Sequence, residues 1–110
     1  DLIFVTNFTT TQPQDLYDNT VGSYDWSGVN AVQNRQAFKM PLGMYRSYTP
    51  GVDTPITLLW LAKSAYPALF EDIDITQQTV DYYKTVFGVT LTEAQAEAIF
   101  TPVADAAVGF

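Results

Sequence analysis

A chain of 110 residues has the size of one domain, and with 47% apolar residues against 15% charged ones it is suited to burying a core, not to staying disordered. A formal charge of −7 and five dispersed cations, Arg35, Lys39, Arg46, Lys63 and Lys84, argue against a nucleic-acid partner. Neither cysteine nor histidine occurs, which removes disulfides, thiolate metal sites and the usual imidazole base.

Residues 1–6 (DLIFVT) form a short apolar run closed by a polar cluster, the pattern of a central parallel strand buried on both faces. A strand run at the first position means either that the natural chain starts abruptly or that an upstream part of the polypeptide precedes it, and the second is expected. No charged-then-apolar signal pattern opens the sequence, and the longest apolar stretch, residues 58–62, is far short of the roughly 20 residues that cross a bilayer. Residues 14–19 add one helical turn after Pro13, and residues 26–34 (WSGVNAVQN) read as a short helix with Trp26, Val29 and Val32 inward. Residues 37–40 (AFKM), stopped by Pro41, are the second strand, and the segment between is long enough for a helical crossover between parallel neighbours.

Residues 42–53 carry glycine, proline and polar aromatics without periodicity and read as a loop. Thr54 as cap and Pro55 at the first helical position start a helix to about Tyr66. Its apolar residues surround most of the cylinder, which predicts deep burial until Pro67 ends it. Asp74 with Gln77, or alternatively Thr76, opens a helix to about Phe87, with Ile75, Thr79, Tyr83, Val86 and Phe87 inward and Gly88 as its stop. Thr92 and Gln95 have capping-box spacing for a last helix to Phe100. The fold class expected is α/β: a short, mostly parallel sheet flanked by helices in a three-layer lobe, helix-rich toward the C-terminus. So narrow a sheet needs cover for its edges from residues outside the chain or from a neighbouring chain, and self-association is expected.

Residues 44–50 (MYRSYTP) follow the C-terminal end of a strand, where open α/β sheets build their crevices, and are the candidate for ligand contact. Arg46 offers a planar cationic fork to a carboxylate, phosphate-like or oxyanion group. Tyr45 and Tyr48 can stack on a flat ligand or donate hydroxyl hydrogen bonds, and Ser47 can add another. The plain structural alternative is that Arg46 pairs with Asp53 and the tyrosines anchor the loop. Trp60, Tyr66 and Phe70 have the spacing of scaffold. Glu71, Asp72 and Asp74 lack the spaced oxygens and central glycine of a calcium loop, and capping accounts for them better. Asp15, Asp18 and Asp25 beside Tyr17, Tyr24 and Trp26 allow a sugar-binding strip or a glycosidase-like carboxylate pair, with nothing to suggest a raised pKa.

Several phrases follow one another along the chain: Ala31-Val32-Gln33-Asn34, Pro41-Leu42-Gly43, Tyr45-Arg46-Ser47-Tyr48-Thr49-Pro50, Leu59-Trp60-Leu61-Ala62-Lys63, Tyr66-Pro67-Ala68-Leu69-Phe70, Asp72-Ile73-Asp74 and Phe87-Gly88-Val89. In order and spacing they resemble the closing part of the C-terminal lobe of ABC-transporter solute-binding proteins of the iron-siderophore, haem, corrinoid and oxyanion group. The strand in residues 1–6 extends the likeness to about residues 1–100.

The resemblance implies that residues 1–110 are a single domain, a fragment of one lobe of a two-lobe protein. Such a protein would be extracytoplasmic, periplasmic or lipid-anchored, with its signal sequence and permease-docking acid upstream. It would capture a metal chelate or oxyanion between its lobes and deliver it to a membrane permease, with no enzymatic activity, no resident cofactor and no metal site of its own. The loop singled out above, Tyr45, Arg46, Ser47 and Tyr48, is the segment to which the resemblance also points. A small carbohydrate-binding or adhesion module is the first alternative and a small hydrolase the second.

Overall fold

In the computed structural model, which describes residues 1–47 and 49–107, the two expected strands form a parallel pair. Strand β1 (Ile3–Val5) lies beside β2 (Ala37–Lys39), with Ile3 opposite Ala37 and Val5 opposite Lys39. Alternation along the strands sends side chains to both faces. Val5 and Ala37 meet Leu16 and Val32 in one core, with Ile3, Tyr17, Val21 and Trp26 packed around them. Phe4 and Phe38 face the other way and stack at 5.6 Å. Trp60 meets both, at 5.8 and 6.3 Å, and Phe100 stacks on Trp60 at 6.4 Å. The sheet thus lies between two helical layers, as expected for this class.

The crossover on the first face contains α1 (Pro13–Tyr17) and α2 (Asn30–Gln33). Proline at the first position and the Asp15 carboxylate accepting from Gln12 N at 2.8 Å open α1. The helix expected over residues 26–34 contracts to Asn30–Gln33. Local side-chain bonds occupy the backbone ahead of it: Trp26 N donates to Asn19 Oδ1 at 2.7 Å, and Ser27 N to Asp25 Oδ1 at 3.0 Å. Trp26 and Val32 do turn inward, but Val29 becomes the residue before the helix and is 37% exposed.

On the second face lie α3 (Thr54–Ala65), α4 (Ile75–Tyr82) and α5 (Glu93–Phe100). The residue before α3 is Asp53, not Thr54, and Thr54 Oγ1 instead accepts from Gly51 N at 2.7 Å. Only Ile56, Thr57 and Trp60 are buried on α3. Leu58 is 59% exposed, so the deep burial expected from its all-round apolar surface is not reached: the sheet and α4 cover one side of the cylinder. Tyr66, expected as scaffold, is also at the surface, 62% exposed beside the short 3₁₀ turn Pro67–Leu69. Lys63 Nζ holds that turn through Phe70 O (2.8 Å) and Ile73 O (2.6 Å).

Asp74 caps α4 by accepting from Gln77 N at 3.0 Å, and Gly88, at φ +67°, ends it. Between them the helix widens into a π turn, Tyr83–Phe87. The additional residue per turn keeps Tyr83 inward but swings Val86, expected inward, to 51% exposure. Thr92 and Gln95 form the expected reciprocal cap of α5, with bonds of 3.2 and 2.9 Å. A 3₁₀ segment, Ala104–Ala107, follows.

Candidate functional site

The two parallel strands end side by side, and Asn7 joins their ends. Only 1% exposed, it donates from Nδ2 to Met40 O and, at 2.7 Å, to Pro41 O. Its Oδ1 is buried with no hydrogen-bond donor among the described residues. Beside it Lys39, pointing to the α1 face, sends Nζ to Thr6 O (2.9 Å), Thr9 O (2.8 Å) and Thr11 O (2.6 Å). Burial pushes this ammonium below its ordinary pKa, and the Asp15 carboxylate acts in the opposite direction. Lys39 is therefore committed to shaping residues 6–11.

The loop after β2 turns sharply. Gly43 (φ +57°), Arg46 (+56°) and Ser47 (+42°) all have left-handed backbone, which non-glycine residues adopt only when their surroundings enforce it. At Gly43 a side chain has no room: a Cβ there would stand 2.2 Å from Ser47 Oγ and 2.4 Å from Asp53 Oδ2. Asp53 is 4% exposed, and its Oδ2 accepts from Met44 N at 2.7 Å and from Tyr83 Oη at 3.1 Å. Burial first, and then the charge and hydrogen bond of Asp53, push the Tyr83 hydroxyl well above the usual phenol range.

Of the expected ligand residues, Tyr45 is 58% exposed at the tip of the loop, whereas Ser47 is buried. Arg46 is half-buried, with its guanidinium 5.8 Å from the centre of the Phe8 ring. Its Nη1 donates to Asn7 O and, at 2.8 Å, to Ala106 O. Tyr48 lies outside the described residues. Asp53, the carboxylate expected as the plain alternative partner of Arg46, serves Met44 and Tyr83 instead. Under the loop is a cavity of about 380 Å³, whose apolar wall includes Phe4, Met40, Leu58 and Leu61 and whose hydroxyls include those of Ser47 and Thr57. Such a composition suits a ligand wall or a packing surface better than bond-making chemistry.

Three roles escape a reading of the sequence: Asn7 as the link between strand ends, Asp53 as the acceptor for Met44 N instead of the partner of Arg46, and Tyr83, expected only to face inward, as the donor to Asp53. Asn7 carried one usable signal, a polar residue immediately after the strand run. The Asp53–Tyr83 bond joins residues that no spacing rule connects.

Of the acidic residues elsewhere, Asp25 is held in a local network. Asp25 Oδ1 accepts from Ser27 Oγ (2.7 Å), Ser27 N (3.0 Å) and Asn19 Nδ2 (3.2 Å). The bonds from Ser27, side chain before backbone, and from Asn19 hold its carboxyl below the usual range, the opposite of what a general acid needs. Trp26 Nε1 is spent on Val21 O at 2.8 Å. Among the described residues no cluster of acidic side chains can hold a metal ion.

No protein-family model matches the sequence. Over 79 residues it is 28% identical to the molybdate-binding protein MolA of Haemophilus influenzae, a match spanning 67% of this chain and 22% of that protein. The crystal structure of a periplasmic solute binding protein from Veillonella parvula superposes with a TM-score of 0.83 at 29% identity, over 92% of this chain and 31% of that one. The chain therefore spans less than a third of the length of either protein. Both relatives are solute-binding proteins and not enzymes. In sequence and in its α/β architecture, the chain is similar to part of a solute-binding protein.

Proposed function

We propose that residues 1–110 form the closing part of the C-terminal lobe of an extracytoplasmic solute-binding protein that captures its cargo between two lobes and delivers it to an ABC permease. The observation that carries this reading is the superposition on a periplasmic binding protein over 92% of the chain, with residues 44–47 following the C-terminal ends of two parallel strands. Tyr45 is the exposed contact, Arg46 the charged one, and Ser47 and Tyr48 complete the ligand segment. The cargo class is a metal chelate, corrinoid or oxyanion, and the molybdate-binding relative puts the oxyanion first. A periplasmic relative supports an extracytoplasmic place for the protein, with an export signal, and a lipid anchor where there is one, in the part upstream of these residues.

Calorimetry on the two-lobe protein carrying these residues tests the proposal, using molybdate, tungstate, a ferric siderophore, haem and a corrinoid. Saturable binding of one of them is expected. Failure of all five, together with glycan binding by the 110-residue chain, would replace the importer reading with a carbohydrate-binding one. The latter has little support here, since Trp26 and Asp25 are committed to local hydrogen bonds.

A further inference from the structure

We infer that Asp53 is the positioning residue of the 43–47 loop, and that through Tyr83 it ties the conformation of that loop to α4. The inference rests on the reading of this loop as ligand-contacting. Three observations converge on it. Asp53 is almost fully buried, so it is a poor candidate for touching cargo, and a buried carboxylate is tolerated only when donors surround it. The donors it has come from the loop backbone (Met44 N) and from the start of the π turn (Tyr83 Oη), two segments with no other link through this oxygen. The loop wraps so closely that Gly43 has no space for a side chain between Ser47 Oγ and Asp53 Oδ2.

Left-handed backbone at Arg46 and Ser47 persists only if the surroundings over-determine it. Asp53 supplies that constraint by pinning the loop two residues ahead of Arg46, and Tyr83 fixes the carboxylate in turn. The placement of Tyr45 and Arg46 thus depends on a carboxylate that hydrogen-bonds the loop backbone at Met44. Tyr82 adds a second tie between the same elements, its hydroxyl donating to Val52 O. A movement of α4 is transmitted to the loop by this route, as is the reverse.

The test combines two readouts. In the two-lobe protein, molybdate affinity is measured for Asp53→Ala, Asp53→Asn and Tyr83→Phe. In the 110-residue chain, hydrogen exchange of the Met44 amide is followed in the same variants. Loss of a charge-assisted bond should weaken molybdate binding about tenfold in Asp53→Ala and about threefold in Tyr83→Phe, with Asp53→Asn, which keeps a neutral acceptor, in between. Met44 exchange should accelerate in the same order while the amides of α5 stay unchanged. Should Asp53→Ala fail to fold, the two conservative variants decide. Unchanged Met44 exchange in both overturns the inference. Faster exchange with unaltered molybdate affinity overturns the positioning role and leaves Asp53 a loop anchor only. If the unsubstituted protein binds no molybdate, the oxyanion reading has failed, and Met44 exchange still decides whether Asp53 sets the loop.

Discussion

The hydroxyl of Tyr17 sits across the outer edge of β2, accepting from Ala37 N at 3.0 Å and donating to Ala37 O at 3.2 Å. One side-chain oxygen thereby satisfies both peptide groups that a neighbouring strand would otherwise claim. Arg35 lies over the same ring, 4.4 Å from its centre, and holds it against the strand. The opposite edge differs. The bonds from Ile3 N to Gln36 O and from Met40 N to Val5 O show Ile3 and Val5 pairing toward β2, which turns the peptide groups of Phe4 to the outer edge of β1. Of the two edges, β2 carries its own cover.

Replacing Tyr17 by phenylalanine keeps the ring and the stacked guanidinium but strips two hydrogen bonds from Ala37. Each such bond contributes about 1 kcal/mol, so Tyr17→Phe should lower unfolding free energy by about 1–2 kcal/mol in urea. Light scattering should also show more self-association, because a second strand edge is opened. An unchanged urea midpoint and an unchanged apparent mass would mean that the edge needs no cover.

Gly43 offers a sharper test of how the loop is built. Alanine there meets both an unfavourable φ of +57° and two oxygens within 2.4 Å, so Gly43→Ala should destabilise by about 2–3 kcal/mol. Gly28 is the control, because a Cβ at that position has nothing within 4 Å. Gly28→Ala should leave stability within about 0.5 kcal/mol. Equal unfolding curves for the two variants would show that the loop yields without resistance.

Tyr83 makes stability depend on pH in a defined direction. Its folded-state pKa lies above its ordinary value of about 10, so the folded protein retains a proton that the unfolded chain gives up. Its contribution is fully present below pH 10 and is lost as pH rises toward the folded pKa. Between pH 9.5 and 11.5 the unsubstituted chain should therefore lose stability more steeply than Tyr83→Phe, in which this linkage is absent. Parallel curves would place the Tyr83 hydroxyl in water.

Local signals were legible in the sequence because their physics is local. The Asp74 cap, the Thr92–Gln95 box, the Gly88 stop and the two strand runs each follow from a few adjacent residues. What escaped was set by contacts distant in sequence. Leu58 and Tyr66 are exposed because the chain covers only one side of α3, and an apolar helix does not record which of its sides is covered. The short α2 reflects the bonds of Asn19 and Asp25 around Trp26, side-chain competition that periodicity does not capture. In the candidate site the loop was found from its position after a strand and from the family likeness. The hold that Asn7 and Asp53 have on it from behind became visible only when residues thirty or more positions apart, Asn7 and Pro41, and Asp53 and Tyr83, were brought together.

Arg46 carries the most informative prediction, because its guanidinium connects three chain segments. From the loop after β2 it reaches Asn7 O behind β1 and Ala106 O near the end of the described chain. Arg46→Ala removes these two charge-assisted bonds, so amide exchange across the Ala104–Ala107 segment should accelerate. In the two-lobe protein proposed above, the same substitution should weaken binding of an anion such as molybdate by about 2 kcal/mol, the scale of a desolvated charged contact. Arg46→Lys separates the two effects. A single ammonium can still reach one carbonyl but cannot present a fork to an oxyanion, so the C-terminal segment should be partly restored while affinity stays low. If affinity is unchanged in Arg46→Ala although Ala104–Ala107 loosens, Arg46 is a latch and the ligand segment reduces to its tyrosines and Ser47.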